Sequence, residues 1–208
     1  MHPNPIYRSG TEAEALVMAR ARSFGILSVN GEAGPVAAHI PFELGQGEAF
    51  LHLARSNPIA RAGLPAPAVL MVSGPDAYIS PDWYGAVDQV PTWNYVAVHL
   101  RGVLEPLPAE ALRPHLERMS AHMEGQLVPK PVWSMGKMSE EATFRMMRMI
   151  VPFRLVISVV ESTVKLNQNK TEAQRARAAA GIAAVPIGME AGRIAAMMGA
   201  DIGRLKPC

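Results

Sequence analysis

The segment from Val90 to Gly102 constrains the fold of this chain most strongly, because a loop there turns into a strictly alternating strand. From Tyr95 onward one face carries large aliphatic side chains, namely Val96, Val98 and Leu100. A period of two predicts a half-buried β-strand. Trp93 and Asn94 stand at its start and offer a flat apolar surface, amide donors and an acceptor. They suit a planar heteroaromatic ligand; a Trp that only plugs the end of a barrel is the alternative.

Composition excludes several classes of protein. The chain has 208 residues, 49% hydrophobic and 18% charged, which is ordinary for one globular domain, with or without a helical appendage. Cys208 is the single cysteine, so no intrachain disulfide and no thiolate metal site can form. No apolar run is long enough to span a membrane, and Glu12 and Glu14 interrupt any signal-peptide core. We therefore expect a cytoplasmic protein with no membrane partner.

Metal and nucleic-acid chemistry are weakly supported. Six histidines are scattered, and His115 and His122, seven apart on a predicted helix, cannot chelate one ion unaided, so no metal site is expected. Residues 165–208 hold seven Lys or Arg against three Asp or Glu. A basic tail can touch phosphates, but no helix-turn-helix is readable. Direct sequence-specific DNA binding is therefore not expected.

Local patterns predict mainly β structure with flanking helices, an α+β fold of antiparallel strands. Strands are expected at 24–29, 36–44, 49–54, 69–73, 77–80, 95–101 and 153–160, and turns at 30–31, 45–47 and 74–76. Helices are expected at 11–22, 108–123, 139–149 and 171–181, the last ending at Gly181. The near-continuous apolar strand 153–160 predicts cover on both faces, by a helix or a second subunit. Adaptable core filler is the predicted role of Met135, Met138, Met146, Met147 and Met149.

Five motifs occur in order along the chain: A-H-I-P-F (38–42), H-L-A-R-S-N-P (52–58), G-P-D-A-Y-I-S-P-D-W-Y (74–84), the strand at 90–102 and K-L-N-Q-N-K (165–170). Together they resemble the PaiB family of FMN-binding negative transcriptional regulators, related to pyridoxamine-phosphate-oxidase-like flavoproteins. The resemblance runs from about residue 1 to 177. It implies an FMN-binding split β-barrel over residues 1–180, working as a homodimer with FMN near the subunit interface. Residues 181–208 lie beyond the motifs and are expected to form a helical tail.

The resemblance also implies where FMN binds. Its dianionic phosphate is expected near Arg55, Ser56 and Asn57, which supply a guanidinium, a hydroxyl and a helix cap; an ordinary cap beside a surface arginine is the alternative. Further donors to the flavin or its phosphate are expected from Lys165, Gln168 and Lys170, which otherwise simply cap the next helix. The ring is expected near His39, Ile40, Pro41, Thr92, Trp93 and Asn94.

Two features refine this site. Pro41 inside a strand implies an edge or bulge where a ligand can approach the backbone. A histidine such as His39, two residues earlier, more often has a structural role. The turn 80–84 carries two aromatic residues, Trp83 and Tyr84, which could close over a ring; we expect them at the dimer seam instead.

Function follows less directly than the cofactor. No G-x-G-x-x-G, Walker or G-x-S-x-G motif occurs, and no acid–base pair is recognisable, so catalytic residues are unknown. The first hypothesis is a PaiB-type transcriptional regulator or redox sensor. An FMN-dependent oxidoreductase using NAD(P)H or a reduced deazaflavin is the alternative, because a flavin carries its own chemistry. A haem-binding split barrel is the third, disfavoured by the phosphate-type residues.

Overall fold

The structure is a computed structural model that describes residues 1–8 and 10–199. Six strands and five α-helices form the described chain, in the order α1 (Glu12–Arg22), β1 (Phe24–Gly31), β2 (Gly34–Leu44), β3 (Glu48–Ala54), β4 (Ala66–Ile79), β5 (Thr92–Pro106), α2 (Leu112–Glu124), α3 (Glu140–Met147), β6 (Ile150–Lys165), α4 (Glu172–Ala184) and α5 (Ala191–Gly199). Short 3₁₀ helices cover Pro58–Arg61 and Pro81–Tyr84, among others. None of the described helices is long and apolar enough to cross a membrane.

The strands close into a barrel in the order β1-β2-β3-β6-β5-β4. β1 and β2 form an antiparallel hairpin through a two-residue turn, with Gly31 opposite Gly34. β3 pairs with β2 only over Phe42–Leu44 and with β6 along its whole length. Alternation along each strand sends one set of side chains into the core, as in β5, where Val96, Val98 and Leu100 are buried. The predicted antiparallel, mainly β fold with flanking helices is confirmed.

Two compact units make up the chain, and each is discontinuous in sequence. The first unit contains Met1–Arg22, Val72–His99 and the chain from Val160 onward; the second contains Ser23–Met71 and Leu100–Val159. In the first unit α4 packs against α5 and against the 3₁₀ helix Pro81–Tyr84. In the second unit α2 packs on β2 and β3. The predicted division at residue 180 stays a prediction, although α4 runs through it; residues 200–208, including Cys208, lie outside the described part.

The predicted turn at 74–76 is wrong, because β4 continues from Ala66 to Ile79. Gly74 is there for close packing: a Cβ at this position would lie 2.8 Å from Met18 Cε and 2.9 Å from Val96 Cβ. Asp76 binds the loop before α5, since its N–H donates to the carbonyl of Met189 at 2.9 Å. The β1–β2 turn also falls at 32–33, after the predicted Asn30-Gly31.

The predicted end of α4 at Gly181 is wrong for a similar reason. The helix continues to Ala184, and Gly181 instead gives room to the indole of Trp83, whose Cδ2 would lie 2.3 Å from a Cβ at that position. A capping box between Thr171 and Gln174 opens this helix.

Two burial predictions also need correction. Met146, on α3, and Met149, after its end, are exposed at 54% and 67%, so neither is core filler within the described chain. On β6, Val156 and Val159 are 38% and 47% exposed, so the described residues leave part of the strand uncovered. Cover of this part by a second subunit stays a prediction.

Candidate functional site

A polar cavity of about 300 Å³ lies in the first unit, and we call it the lysine cavity. Four local elements build it: the N-terminal 3₁₀ helix, the 3₁₀ helix Pro81–Tyr84 with the loop after it, the start of β5, and the end of β6 with its following loop. It is lined by Tyr7, Tyr84, Asp88, Gln89, Val90, Thr92, Lys165, Asn167, Asn169 and Lys170. Three of these, Thr92, Lys165 and Lys170, belong to the site expected from sequence, so the structure brings them together.

The two lysines give the cavity its charge. Lys165 Nζ donates to Thr92 Oγ1 at 2.6 Å and lies 5.8 Å from the centre of the Tyr7 ring. Lys170 Nζ donates to Gln89 Oε1 and lies 5.0 Å from the centre of the Tyr84 ring. Burial lowers the pKa of Lys165. Among the ion pairs of the described residues none involves either lysine, so neither cation is within ion-pair distance of a carboxylate, although Asp88 also lines the cavity.

A buried hydrogen bond fixes the wall of the lysine cavity. Asn167 Nδ2 donates to Tyr84 Oη at 2.9 Å, and both residues are almost fully buried. Burial raises the pKa of Tyr84, and the hydrogen bond from Asn167 partly opposes that rise. Asn167 has a φ of 61°, a left-handed conformation that Asn tolerates better than most residues. Arg177 Nε holds the carbonyl of Tyr84 from the other side at 3.1 Å.

This arrangement corrects the expected role of the aromatic turn. Tyr84 is buried inside its own chain, and Trp83 packs on Gly181 of α4. Tyr84 is therefore not free surface for a dimer seam, whereas a place for the half-buried Trp83 at such a seam stays a prediction. Gln168 also differs from expectation, because its side chain is hydrogen-bonded within its own loop. Its Oε1 accepts from the N–H of Leu166 at 2.8 Å.

The residues at the start of β5 lie on opposite faces of the strand. Trp93 is 47% exposed and meets Tyr78 edge to face, with ring centres 6.1 Å apart, so it is not a buried plug. Asn94 is fully buried; its Nδ2 donates to Met198 Sδ at 3.4 Å, and its Oδ1 has no hydrogen-bond partner. Joint contact of both side chains with one flavin ring stays a prediction.

The other expected ring contacts lie on β2 in the second unit. Pro41 stands opposite Phe24, immediately before β3 begins to pair with β2 at Phe42. One side of the strand is therefore unpaired in the described register up to Pro41, as the proline indicates. Ile40 is buried, whereas His39 is exposed and stacks on Phe24 at 6.4 Å between ring centres.

The expected phosphate residues also lie in the second unit, and two of the three have partners in their own chain. Arg55 Nε donates to the carbonyl of Arg148 at 3.1 Å. Asn57 Oδ1 accepts from the N–H of Ile59 at 2.9 Å and caps the 3₁₀ helix Pro58–Arg61. Ser56 is exposed. The geometry resembles an ordinary cap beside a surface arginine, and phosphate binding here stays a prediction.

Sequence reasoning missed most of the cavity lining. Tyr84, Asn167 and Asn169 occur within the motifs quoted above, but a motif does not tell which of its side chains face a site. Tyr7 had no such signal. Its hydroxyl donates to Asn169 Oδ1 at 3.2 Å, across 162 residues of sequence, a contact that only the folded chain reveals.

Known proteins similar to this chain agree with the motifs. Residues 1–159 match a family model described as "Putative FMN-binding domain". Among characterised proteins, "Protease synthase and sporulation protein PAI 2" of Bacillus subtilis (strain 168) is 31% identical over 174 residues, covering 81% of this chain and 83% of that protein.

Solved structures support the fold. The FAD and haem binding protein from Mycobacterium smegmatis has a TM-score of 0.56 at 16% identity, covering 85% of this chain and 79% of that one. The flavocytochrome Anf3 from Azotobacter vinelandii has a TM-score of 0.53 at 14% identity, covering 74% and 67%. The family model spans most of the sequence, and the PAI 2 relative covers four-fifths of it. The chain therefore belongs to the FMN-binding family of PaiB-type proteins, as its five motifs predicted.

Proposed function

We propose that this FMN-binding protein is a flavin-dependent regulator or redox sensor that holds the phosphate of FMN in the lysine cavity. The observation that carries the proposal is the pair Lys165 and Lys170, two cations at one cavity whose single lining carboxylate, Asp88, forms no ion pair with either of them in the described chain. Half-burying an ammonium without an anion is unfavourable, so a cavity that does so is suited to an anionic ligand. The regulatory role goes beyond the family assignment.

The residues of the cavity fit the phosphate end of FMN. A phosphate dianion needs cations and neutral hydrogen-bond donors, and the lining supplies two ammonium groups, the Thr92 hydroxyl and the Asn169 amide. The volume of about 300 Å³ is at the lower end for small-molecule sites. We therefore assign the phosphate and the adjoining chain to this cavity, with the ring beyond it.

The first unit also offers a surface for the flavin ring. Bound FMN supplies reversible one- and two-electron chemistry. Trp93, with half of its surface exposed, offers an apolar face for stacking within the same unit as the lysine cavity. Arg55, Ser56 and Asn57 form the competing phosphate site and are tested beside the lysines.

We further propose that the protein is a cytoplasmic homodimer whose second copy covers the outer face of β6. Val156 and Val159 are exposed there, and Val103 of β5 is 40% exposed. Obligate dimers cover apolar surface of this kind. Arg175 and Arg177 are hydrogen-bonded to the carbonyls of Lys170 and Tyr84 in their own chain, so these basic side chains are already engaged and are poorly placed to bind DNA phosphates. Regulation would then act through the state of the flavin or through a protein partner.

Substitution of the lysines tests the phosphate assignment. Lys165→Met and Lys170→Met should each weaken FMN binding about ten- to a hundredfold, the effect of losing a charge-assisted hydrogen bond worth about 1.5 to 3 kcal/mol. Affinity for riboflavin, which lacks the phosphate, should change much less. Lys137→Met, at an exposed lysine of the second unit, is the matched control and should bind FMN normally.

Titration by flavin fluorescence separates the outcomes. Selective loss of FMN affinity in the two cavity variants supports the assignment. Unchanged FMN affinity in both, together with selective loss in Arg55→Ala, would move the phosphate to the second unit. Equal loss of FMN and riboflavin would mean that the lysines contact the ring and not the phosphate.

A further inference from the structure

A histidine pair in the second unit has no part in the proposed flavin site. β3 turns Leu51 and Leu53 into the barrel and His52 to the outer face. α2 lies across that face and buries His115, which is 2% exposed. The two imidazoles thus meet between a strand and a helix, 63 residues apart in sequence. His115 and His122 share one helix, whereas the histidines that meet in the fold are His52 and His115. The separation of His52 from His115 in sequence explains why spacing alone indicated no metal site.

The distance between the two ring nitrogens is suited to a metal ion. His52 Nδ1 lies 3.2 Å from His115 Nε2, and the rings are inclined at 62°. Zinc binds imidazole nitrogen at about 2.0 to 2.1 Å, and tetrahedral geometry then places two nitrogen ligands about 3.3 Å apart. The same spacing also permits a hydrogen bond between neutral imidazoles. An ion could therefore replace that hydrogen bond with little backbone movement.

The second nitrogen of His115 has the surroundings usual behind a metal-binding histidine. His115 Nδ1 is buried without a hydrogen-bond partner, and Glu43 Oε2 lies 3.6 Å away. Arg118 fixes that carboxylate, with its Nε 2.9 and 3.1 Å from the two oxygens. Metal-bound histidines commonly direct their other N–H at a carboxylate, which orients the ring and its tautomer. A small rotation of His115 would complete this contact.

We propose that His52 and His115 bind a divalent zinc-type ion through Nδ1 and Nε2, with Glu43 orienting His115. No group of three or more His, Cys, Asp or Glu within the described residues could hold a metal, so water completes the coordination. Binding needs no net loss of protons, because His52 carries its proton on Nε2 and His115 on Nδ1 when the facing nitrogens coordinate. A site with two protein ligands exchanges its ion readily, unlike a closed structural zinc site.

The expected metal preference follows from the ligands. Imidazole nitrogen suits Zn²⁺, Co²⁺, Ni²⁺ and Cu²⁺, and hard ions such as Mg²⁺ prefer oxygen. Affinity should rise from Co²⁺ through Ni²⁺ to Cu²⁺. Binding of Mg²⁺ at equal concentration is not expected.

Cobalt substitution tests the proposal directly. The full-length protein, stripped with EDTA, is titrated with Co²⁺, and ligand-field absorption in the visible range reports coordination by imidazole. Zn²⁺ should abolish that absorption and raise the thermal midpoint of the free protein, because an ion that binds only the folded state stabilises it. His52→Gln, at the less buried member of the pair, should lose both effects, with circular dichroism confirming its fold.

His122→Gln is the matched control, since this histidine is exposed on the same helix and lies outside the pair. It should retain the cobalt absorption and the zinc-dependent stabilisation. Absence of both signals in the wild type would overturn the proposal and leave the pair as a structural hydrogen bond. Retention of both in His52→Gln, or their loss in His122→Gln, would also overturn it by placing the ion elsewhere.

Discussion

The buried hydrogen bond between Asn167 and Tyr84 should be worth a measurable part of the protein's stability. Tyr84→Phe leaves Asn167 Nδ2 without its acceptor, and Asn167 is only 2% exposed. An unsatisfied buried polar group costs about 1 to 3 kcal/mol. For a chain of this length, that corresponds to a fall in the thermal midpoint of roughly 2 to 12 °C. Tyr95→Phe, at a half-buried tyrosine, is the matched control and should change stability little.

A double-mutant cycle isolates the interaction. Asn167→Gly keeps the left-handed backbone accessible while removing the donor, so it leaves the Tyr84 hydroxyl unsatisfied. The double variant leaves neither group orphaned and should be less destabilised than the sum of the two single variants. Free energies of unfolding from urea titration give the coupling, which should exceed about 0.5 kcal/mol. Strict additivity would refute the view that this bond fixes the wall of the lysine cavity.

Three other perturbations test the fold and the assembly. Burial, and then the proximity of His52, lower the pKa of His115 to about 4. As pH falls, the unfolded chain therefore protonates this imidazole before the folded chain does. The free energy of unfolding, measured in EDTA, should therefore fall as pH drops from about 6.5 towards 4, and less so in His115→Gln. Gly181→Ala should destabilise by about 1 to 3 kcal/mol because its Cβ would meet Trp83, whereas Gly192→Ala, in open space on α5, should stabilise by about 0.5 to 1 kcal/mol. In light scattering the wild-type protein should show twice its chain mass of 22.4 kDa. The mass of Val159→Lys should fall towards that of the monomer, whereas Val87→Lys, on an exposed loop, should keep the mass of the dimer. A wild-type monomer would contradict the dimer.

Local sequence patterns predicted most of the barrel, because most strands alternate and most are bounded by glycine or proline turns. The prediction failed at Gly74 and Gly181, where glycine serves close packing against Val96 and Trp83. A glycine needed for a turn and one needed for a contact look alike in a single sequence. Packing between distant segments decides between them.

The candidate site was predictable only in part, because local motifs mark segments but do not show which segments meet in the fold. Thr92 begins β5 and Lys165 ends β6, and the motifs marked both segments as ligand-binding. Their meeting depends on the pairing of β5 with β6, which no local pattern encodes. The contact between Tyr7 and Asn169, and the approach of His52 to His115, are likewise products of long-range packing.

Parallel titration of the flavin-free wild-type protein with FMN and riboflavin tests the central claim most directly. If the lysine cavity binds the phosphate, FMN should bind at least about ten times more tightly than riboflavin, and the preference should weaken as ionic strength rises. The FMN complex should be yellow, with bound flavin bands. Equal affinity for the two flavins would contradict the phosphate assignment, and binding of neither would contradict the account of this chain as a flavin-dependent protein.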